Sequence, residues 1–148
     1  MPLASLYASF NHPDWIFELK YDGFRALAHI DSGYCRLVSR RGTAYRSFPK
    51  LCAAIAAAIQ GQAVVDGEIV HLDAEGKPQF YELMRRRAPQ HYYAFDLLWL
   101  DGSDLRDIRL IERKRLLREP VRPSVLYADH FDAREVIHGP SVANWLAA

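Results

Sequence analysis

One lysine in residues 18–25 has neighbours of the types that covalent phosphate chemistry requires. The segment reads Glu-Leu-Lys-Tyr-Asp-Gly-Phe-Arg, so Lys20 has a carboxylate two residues before it, Asp22-Gly23 just after it, and then Arg25. A neutral lysine amine can attack phosphorus and hold a nucleotide through a nitrogen–phosphorus bond. Because an ordinary lysine is protonated at neutral pH, burial, a nearby cation or a metal must favour the neutral form. The structural alternative is a strand over Trp15–Leu19 that enters a tight Asp-Gly turn.

Three later segments carry further groups suited to nucleotide chemistry. They are Ser39-Arg40-Arg41-Gly42, Asp66-Gly67-Glu68 within the apolar run Ala63–Leu72, and the aromatic stretch Tyr92–Leu98. In type and order, these segments and Lys-x-Asp-Gly resemble the motifs of covalent nucleotidyltransferases, which comprise ATP-dependent DNA ligases, RNA ligases and mRNA capping enzymes. The resemblance is greatest to the ligase domain of bacterial ATP-dependent DNA ligases of the end-joining type. It covers residues of about 10–132, including the flanks His12–Trp15 and Phe48-Pro49.

The resemblance implies a role for the residues of the first motif and for Arg40 of the second. Lys20 would be the catalytic nucleophile that attacks the α-phosphate of ATP. Glu18 lies on the same strand face as Lys20, and in the family this position lies beside the adenine; the alternative is a partner for a nearby arginine. Arg25 and Arg40 would contact phosphate or ribose, since a guanidinium forms paired hydrogen bonds to phosphate oxygens. Asp22-Gly23 would shape the turn that orients Lys20, with a positive φ at the glycine.

Two residues of the later segments are candidate nucleotide contacts. A carboxylate such as Glu68 in an apolar strand is unfavourable unless it is paired or binds something. The resemblance implies that Glu68 contacts the ribose or coordinates Mg²⁺, and the alternative is a buried salt bridge. Phe95 would stack on the adenine ring, and the alternative is core packing. Asp96 is expected on the opposite strand face, in a structural role.

The implied activity is DNA ligation with ATP and Mg²⁺ as cofactors and nicked double-stranded DNA as the partner. The chain would form lysyl-AMP for sealing nicks in repair and recombination. An RNA ligase or a capping-type enzyme remains an alternative, because short motifs do not identify the polynucleotide. Basic residues are concentrated in three segments: Arg40-Arg41, Arg85–Arg87 and 106–122. These segments could contact a phosphate backbone, and the alternative is that they are solvated helix faces.

Two further family motifs, a Glu-Gly strand and a Lys-x-Lys strand, do not occur in the chain, and Lys114 is its last lysine. We therefore expect one partial adenylation domain over 1–148, C-terminally incomplete, with a divergent tail at 133–148 and no oligonucleotide-binding domain. Cations that stabilise a leaving group typically contribute a factor of about 10²–10³ each. Impaired activity, a non-catalytic nucleotide- or DNA-binding remnant, and a separate chain that supplies the missing motifs are the resulting hypotheses.

The composition limits the classes of protein to which this chain can belong. The net charge is +1, half of the residues are hydrophobic and a quarter are charged, as in globular chains. No apolar run is long enough for a membrane span, and no signal peptide is visible. Cys35 and Cys52 are interpreted as small hydrophobes rather than a disulfide or metal pair, and the six histidines lack zinc-ligand spacing. A cytoplasmic location is the default.

The elements that must position these groups follow from periodicity and turn residues. Strands alternating with hairpins and helices predict an α+β fold. The resemblance implies an ATP-grasp-like nucleotidyltransferase fold, with antiparallel sheets flanked by helices. The predicted strands are Trp15–Leu19, Phe24–Ile30, Tyr34–Ser39, Ala63–Leu72, His91–Leu100 and Val125–Tyr127. The predicted helices begin at Pro49, cover Phe80–Arg87, run from an Asp107 cap to about Leu117, and start at an Asp132/Glu135 capping box.

Overall fold

The computed structural model describes residues 15–118, 125–132 and 145–147. The chain divides into two compact units, one formed by residues 1–20 with 128–148 and the other by 21–127. In chain order the elements are β1 (Ile16–Leu19), β2 (Phe24–Asp31), β3 (Tyr34–Ser39), α1 (Pro49–Ala58), β4 (Ala63–His71), α2 (Phe80–Met84), β5 (Gln90–Leu100), β6 (Ser103–Asp104), α3 (Leu110–Arg118), β7 (Val125–Tyr127), β8 (His130–Asp132) and β9 (Trp145–Ala147).

The larger unit is built on a six-stranded sheet. Its strand order is β3-β2-β4-β5-β6, and β7 pairs with β5. All of these pairings are antiparallel except that of β5 with β7, which is parallel. The predicted α+β class is therefore confirmed, with one parallel connection through α3 that the hairpin pattern did not predict.

Alternation along the central strands gives this sheet two different faces. On β2 and β4 the buried positions alternate with partly exposed ones, as the period of two requires. Ala26, Ala28 and Ile30 join the core, to which α1 contributes Leu51 and Ile55. We call the opposite side the far face; it is defined by Arg25, Leu27 and His29 of β2, Val64, Asp66 and Glu68 of β4, and Tyr34 and Arg36 of β3.

The smaller unit contains a three-stranded antiparallel sheet in the order β8-β1-β9. Its central strand β1 pairs Glu18 with His130 on one side and with Leu146 on the other. The predicted strand at the first motif is confirmed, and its neighbours come from the C-terminal part of the chain.

Several predicted boundaries are wrong, and local chemistry explains them. The third helix begins at Leu110, because Asp107 lies in the turn in which the amide of Ile108 bonds back to Leu105. The predicted helix at Phe80–Arg87 ends at Met84, and Arg86 has a φ of 58°. Asp132 is the last residue of β8, and the helix predicted from the Asp132/Glu135 capping box lies outside the described residues.

In the described part of the chain, no helix is long and apolar enough to cross a membrane. Both cysteines are free thiols, and Cys35 is buried in the core, as their interpretation as small hydrophobes requires.

Candidate nucleotide site

The Asp66-Gly67-Glu68 segment of β4 presents both carboxylates on the far face. Gly67 points to the core, where an added Cβ would collide with the ring of Tyr92 and the carbonyl oxygen of Tyr93. The Tyr92 hydroxyl lies 2.8 Å from the Ala26 carbonyl oxygen and 2.9 Å from that of Val65, so the ring crosses directly under this glycine. The motif therefore needs glycine for space, and the alternation of β4 then directs the acids on either side of it to one surface.

Arg25 is held by a paired hydrogen bond to Asp66. Its Nε and Nη2 atoms each donate to a different carboxylate oxygen at 2.7 Å. Burial by itself would lower the pKa of Arg25, but the hydrogen bonds and charge of Asp66 give a net rise, so the guanidinium is always charged. The two N–H groups on Nη1 are not used by Asp66 and can donate to a further acceptor.

Glu68 faces Arg25 across the β2–β4 strand pair. The pKa of its carboxyl is the most strongly perturbed among the acids of the cluster. Glu68 is the cross-strand neighbour of Arg25 on β2. Burial raises the pKa of Glu68 to about 7; Arg25 opposes this rise, Asp66 and Asp22 add to it, and the Gly23 amide, which donates to the carboxylate, opposes it. The carboxyl is therefore partly protonated at neutral pH.

Phe95 lies on the same surface because β5 is irregular at that point. Gly67 pairs with Ala94 and Asp66 with Asp96, so Phe95 is the extra residue of a β-bulge. The Arg25 guanidinium lies 4.6 Å from the centre of the Phe95 ring, which fits a cation–π contact. The predicted residues Arg25, Glu68 and Phe95 thus form one cluster, which we call the β2–β4–β5 cluster.

Asp96, directly after the bulge, has a different environment. Its two carboxylate oxygens accept hydrogen bonds of 2.7 and 2.9 Å from Arg113 of α3. Only 13% of the Arg113 side chain and 19% of that of Asp96 are exposed. This ion pair ties the helix to the sheet, in agreement with the structural role expected for Asp96.

Gly23 is required for a reason other than the predicted one. The glycines with a positive φ among the described residues do not include it, so that expectation is wrong. A Cβ at Gly23 would instead collide with the carbonyl oxygen of Ile69 and approach the Cγ of Glu68 to 3.0 Å. The glycine therefore allows the chain to pass close to β4 and to bring its amide to Glu68.

Lys20 and Glu18 belong to the smaller unit and are described with it. Glu18 is half-buried on β1, and Lys20 is exposed immediately after that strand ends. Tyr21, the first residue of the larger unit, stacks on Tyr93 of β5 with the ring centres 3.7 Å apart. This stacking contact holds the backbone in place where the larger unit begins, at the residue directly after Lys20, the proposed nucleophile.

Arg40 is exposed in the turn that follows β3. The amide of Gly42 bonds to the Ser39 carbonyl at 2.8 Å, and Gly42 has a φ of 78°, which favours glycine. Ser39 pairs with Ala26, the neighbour of Arg25 on β2. The turn therefore starts beside the cluster, while no hydrogen bond or ion pair within the described part of the chain draws the Arg40 side chain into it.

Sequence reasoning missed two contributors to the cluster. Alternation along β4 puts Asp66 on the same face as Glu68, but its pairing with Arg25, 41 residues away, was not predicted. Tyr45 was not considered; its hydroxyl lies 3.5 Å from the Arg25 carbonyl oxygen. Burial, followed by the charge of Glu68, raises the pKa of Tyr45. The sequence indicated this role of Tyr45 only by placing an aromatic residue shortly after the Ser-Arg-Arg-Gly turn.

The donor set fits a phosphate-bound Mg²⁺ better than a metal site made by protein alone. In the described ranges, no group of three or more His, Cys, Asp or Glu side chains is arranged to hold a metal ion. Mg²⁺ is commonly held by one or two carboxylates together with substrate phosphates. Because Asp66 is engaged by Arg25, Glu68 is the carboxylate of this cluster that is available for such a role.

Comparison with known proteins defines the class to which this site belongs. Residues 2–145 match the family model described as the ATP dependent DNA ligase domain. The chain therefore belongs to the ATP-dependent DNA ligase domain family, as the sequence motifs predicted.

Two of the relatives that the chain resembles are of the bacterial end-joining type. It is 35% identical to the multifunctional non-homologous end joining protein LigD of Pseudomonas aeruginosa, over 91% of this chain and 18% of that protein. It is 39% identical to LigD of Mycobacterium tuberculosis, over 78% of this chain and 15% of the relative. The chain thus spans less than a fifth of the length of these two relatives.

Solved structures confirm the nucleotidyltransferase fold. The ligase domain of M. tuberculosis LigD superposes with a TM-score of 0.71 at 35% identity, covering 82% of this chain and 42% of that one. A mycobacterial DNA ligase D complexed with ATP and MES also gives 0.71, with 78% and 40% coverage.

Proposed function

We propose that this chain provides the nucleotide-binding part of an ATP-dependent DNA ligase, in which Lys20 accepts AMP. The Lys20 amine would lose its proton to solvent and form a bond to the α-phosphorus of ATP. The bond from that phosphorus to the bridging oxygen would break, and pyrophosphate would leave. Family membership and the motif around Lys20 support this step.

The observation that carries the proposal is the β2–β4–β5 cluster. In it, Asp66 fixes the orientation of Arg25 while the Nη1 donors remain for a phosphate or ribose oxygen. Phe95 would stack on adenine with the ring face that Arg25 does not cover. Glu18 beside the adenine and Arg40 on phosphate complete the proposed contacts.

Glu68 would either accept a hydrogen bond from a ribose hydroxyl or hold Mg²⁺. When bound, Mg²⁺ would supply positive charge next to the triphosphate, where negative charge develops on the leaving group. The raised pKa of the Glu68 carboxyl fits both roles, because a cation or a hydroxyl donor would stabilise the ionised form that burial disfavours.

The polynucleotide that we propose as substrate is nicked double-stranded DNA. The names of the relatives support DNA end joining and repair as the process. A cytoplasmic location and a separate chain that supplies the Lys-x-Lys strand remain parts of this proposal.

The test is covalent labelling with α-labelled ATP and Mg²⁺, followed by denaturing separation. Wild-type chain should acquire an acid-labile label, and Lys20→Ala should not. Lys50→Ala is the matched control, because Lys50 is another exposed lysine, on α1 away from the motif; it should label like the wild type. Glu68→Gln and Phe95→Ala should reduce labelling while the chain stays folded.

Label on Lys20→Ala would disprove the assignment of the nucleophile. No label on folded wild-type chain, either alone or with a second polypeptide that carries the Lys-x-Lys strand, would favour a non-catalytic nucleotide- or DNA-binding role. Transfer of AMP to a nicked duplex with an RNA 5′-phosphate strand, but not to DNA, would point to an RNA ligase instead.

A further inference from the structure

A groove at the end of the large sheet has no role in the proposed adenylation. It has a volume of about 410 Å³, and its lining includes Tyr34, Arg36, His29, Val64 and Trp99 together with Asp31 and Gln62. Four of these residues form a single row across the sheet: Arg36 on β3, His29 on β2, Val64 on β4 and Trp99 on β5. His29 is four residues beyond Arg25 on β2, which places the groove about 13 Å along the strand from the β2–β4–β5 cluster.

Two large aromatic side chains lie exposed on the outer strands of this groove: Trp99 ends the row on β5, and Tyr34 lies on β3 two residues before Arg36. Tyr34 is 69% exposed, and Trp99 is 36% exposed. Their strands, β3 and β5, are separated by β2 and β4, so three inter-strand spacings of about 4.8 Å, with an offset of about 6.6 Å along the strand, put them roughly 16 Å apart. Two flat rings this far apart cannot both stack on one small ring system. They can both contact a linear ligand in which flat groups recur along a chain.

The charges in the groove select the chemistry of that ligand. No ion pair of Arg36 occurs among the described residues, so its guanidinium is available for an anion. Asp31, the acid in the lining, already accepts hydrogen bonds from the Ser32 hydroxyl at 2.8 Å and the Gln62 amide at 3.1 Å. Burial, with the charge of Arg36 second, lowers the pKa of His29, so this imidazole is neutral at physiological pH. The groove thus combines one available cation with exposed aromatic faces.

We propose that this groove binds a short segment of single-stranded nucleic acid, whose bases stack on Tyr34 and Trp99 and whose backbone contacts Arg36. Single-strand binding surfaces use this combination of aromatic platforms and basic groups. At about 3.4 Å per nucleotide, roughly five stacked nucleotides cover the roughly 16 Å between the rings. The site does not depend on Lys20 or on nucleotide transfer.

The experiment measures binding of a fluorescein-labelled eight-nucleotide oligothymidylate to the full 148-residue chain by anisotropy, without ATP. Tyr34→Ala should weaken binding about tenfold, and Trp99→Ala by at least as much, because each removes a stacking platform. An abasic oligomer of equal length should bind more weakly than the oligothymidylate. Arg36→Gln should reduce the slope of log affinity against log salt by about 0.7, the value for one phosphate contact with a single strand.

The matched control is Tyr81→Ala, which removes a tyrosine that is 76% exposed on α2, outside the groove; it should bind like the wild type. Tyr34 is at a hairpin and highly exposed, so its replacement keeps the test valid even if Trp99→Ala fails to fold. Equal binding by wild type and Tyr34→Ala, an equal loss with Tyr81→Ala, or a thymidine monophosphate that binds as tightly as the oligomer would each overturn the proposal. Because ATP is absent, failure here leaves the lysyl-AMP proposal unaffected.

Discussion

Replacing Glu68 by glutamine should stabilise the fold at alkaline pH and have little effect at acid pH. Burial raises the pKa of the Glu68 carboxyl from 4.5 to about 7 in the folded chain. A carboxyl whose pKa rises on folding binds its proton more tightly in the native state than in the unfolded state. Its contribution is therefore most favourable below about pH 4.5, falls as the pH rises towards 7, and is fully unfavourable above that.

The magnitude follows from the shift. A rise of about 2.5 pH units at 1.36 kcal/mol per unit corresponds to about 3.4 kcal/mol. Solvent reaches part of this side chain, so we discount the figure by about half, to roughly 1.5–2 kcal/mol. Glutamine keeps the shape of the side chain, and its amide oxygen can still accept the hydrogen bond from the Gly23 amide.

The assay is urea unfolding of wild-type and Glu68→Gln chains at about pH 5 and about pH 8.5. We expect the variant to be more stable by roughly 1.5–2 kcal/mol at the higher pH and by less than about 0.5 kcal/mol at the lower one. Glu75→Gln, in the exposed turn after β4, should unfold like the wild type at both values. A Glu68→Gln chain whose stability advantage did not grow with pH would refute the assignment of an unfavourable buried charge.

Three further outcomes follow from packing, pairing and burial. Gly23→Ala should lower the free energy of unfolding by about 1–3 kcal/mol, since its methyl group must displace the β4 backbone; an unchanged urea midpoint would contradict that close approach. Asp96→Asn should cost about 1–3 kcal/mol, because it leaves a mostly buried guanidinium without its counter-charge, while Asp104→Asn, in an exposed pair, should leave the urea midpoint unchanged. Iodoacetamide at about pH 8 should alkylate Cys52 before Cys35, because burial raises the pKa of the Cys35 thiol to about 12; mass spectrometry of the peptides would show the reverse order if this is wrong.

The local organisation of the larger unit could be predicted from the sequence. The hairpin of β2 and β3 follows from two alternating runs around Asp31-Ser32-Gly33, and the observed strands differ by one residue at most. The sequence predicted equally well the helix that begins at Pro49 and the strand that contains Asp66-Gly67-Glu68. In each case the determining interactions lie between residues a few positions apart, so the residue pattern contains them.

Strand pairings that depend on distant partners could not be predicted in this way. The two-residue strand β6 exists because Ser103 and Asp104 meet the end of β5, and β7 joins as a parallel strand through register with Tyr92–Ala94. Ser103-Asp104 has no periodicity of its own that distinguishes it from a loop, and the strand predicted at Val125–Tyr127 gave no indication that it would pair in parallel with β5. Their placement depends on which sheet edge is vacant once the other strands have paired.

For the candidate site, the sequence determined which residue types are available, and the tertiary structure decided how they meet. The motifs identified Arg25, Glu68 and Phe95, and alternation alone put Asp66 on the same face as Glu68. Only the register of β2 against β4 puts Arg25 opposite Glu68 and in reach of Asp66, and only the bulge in β5 turns Phe95 towards that arginine. Register and bulges arise from the packing of the whole sheet, so a close approach such as that of Gly23 to β4 is not recorded in any short stretch of sequence.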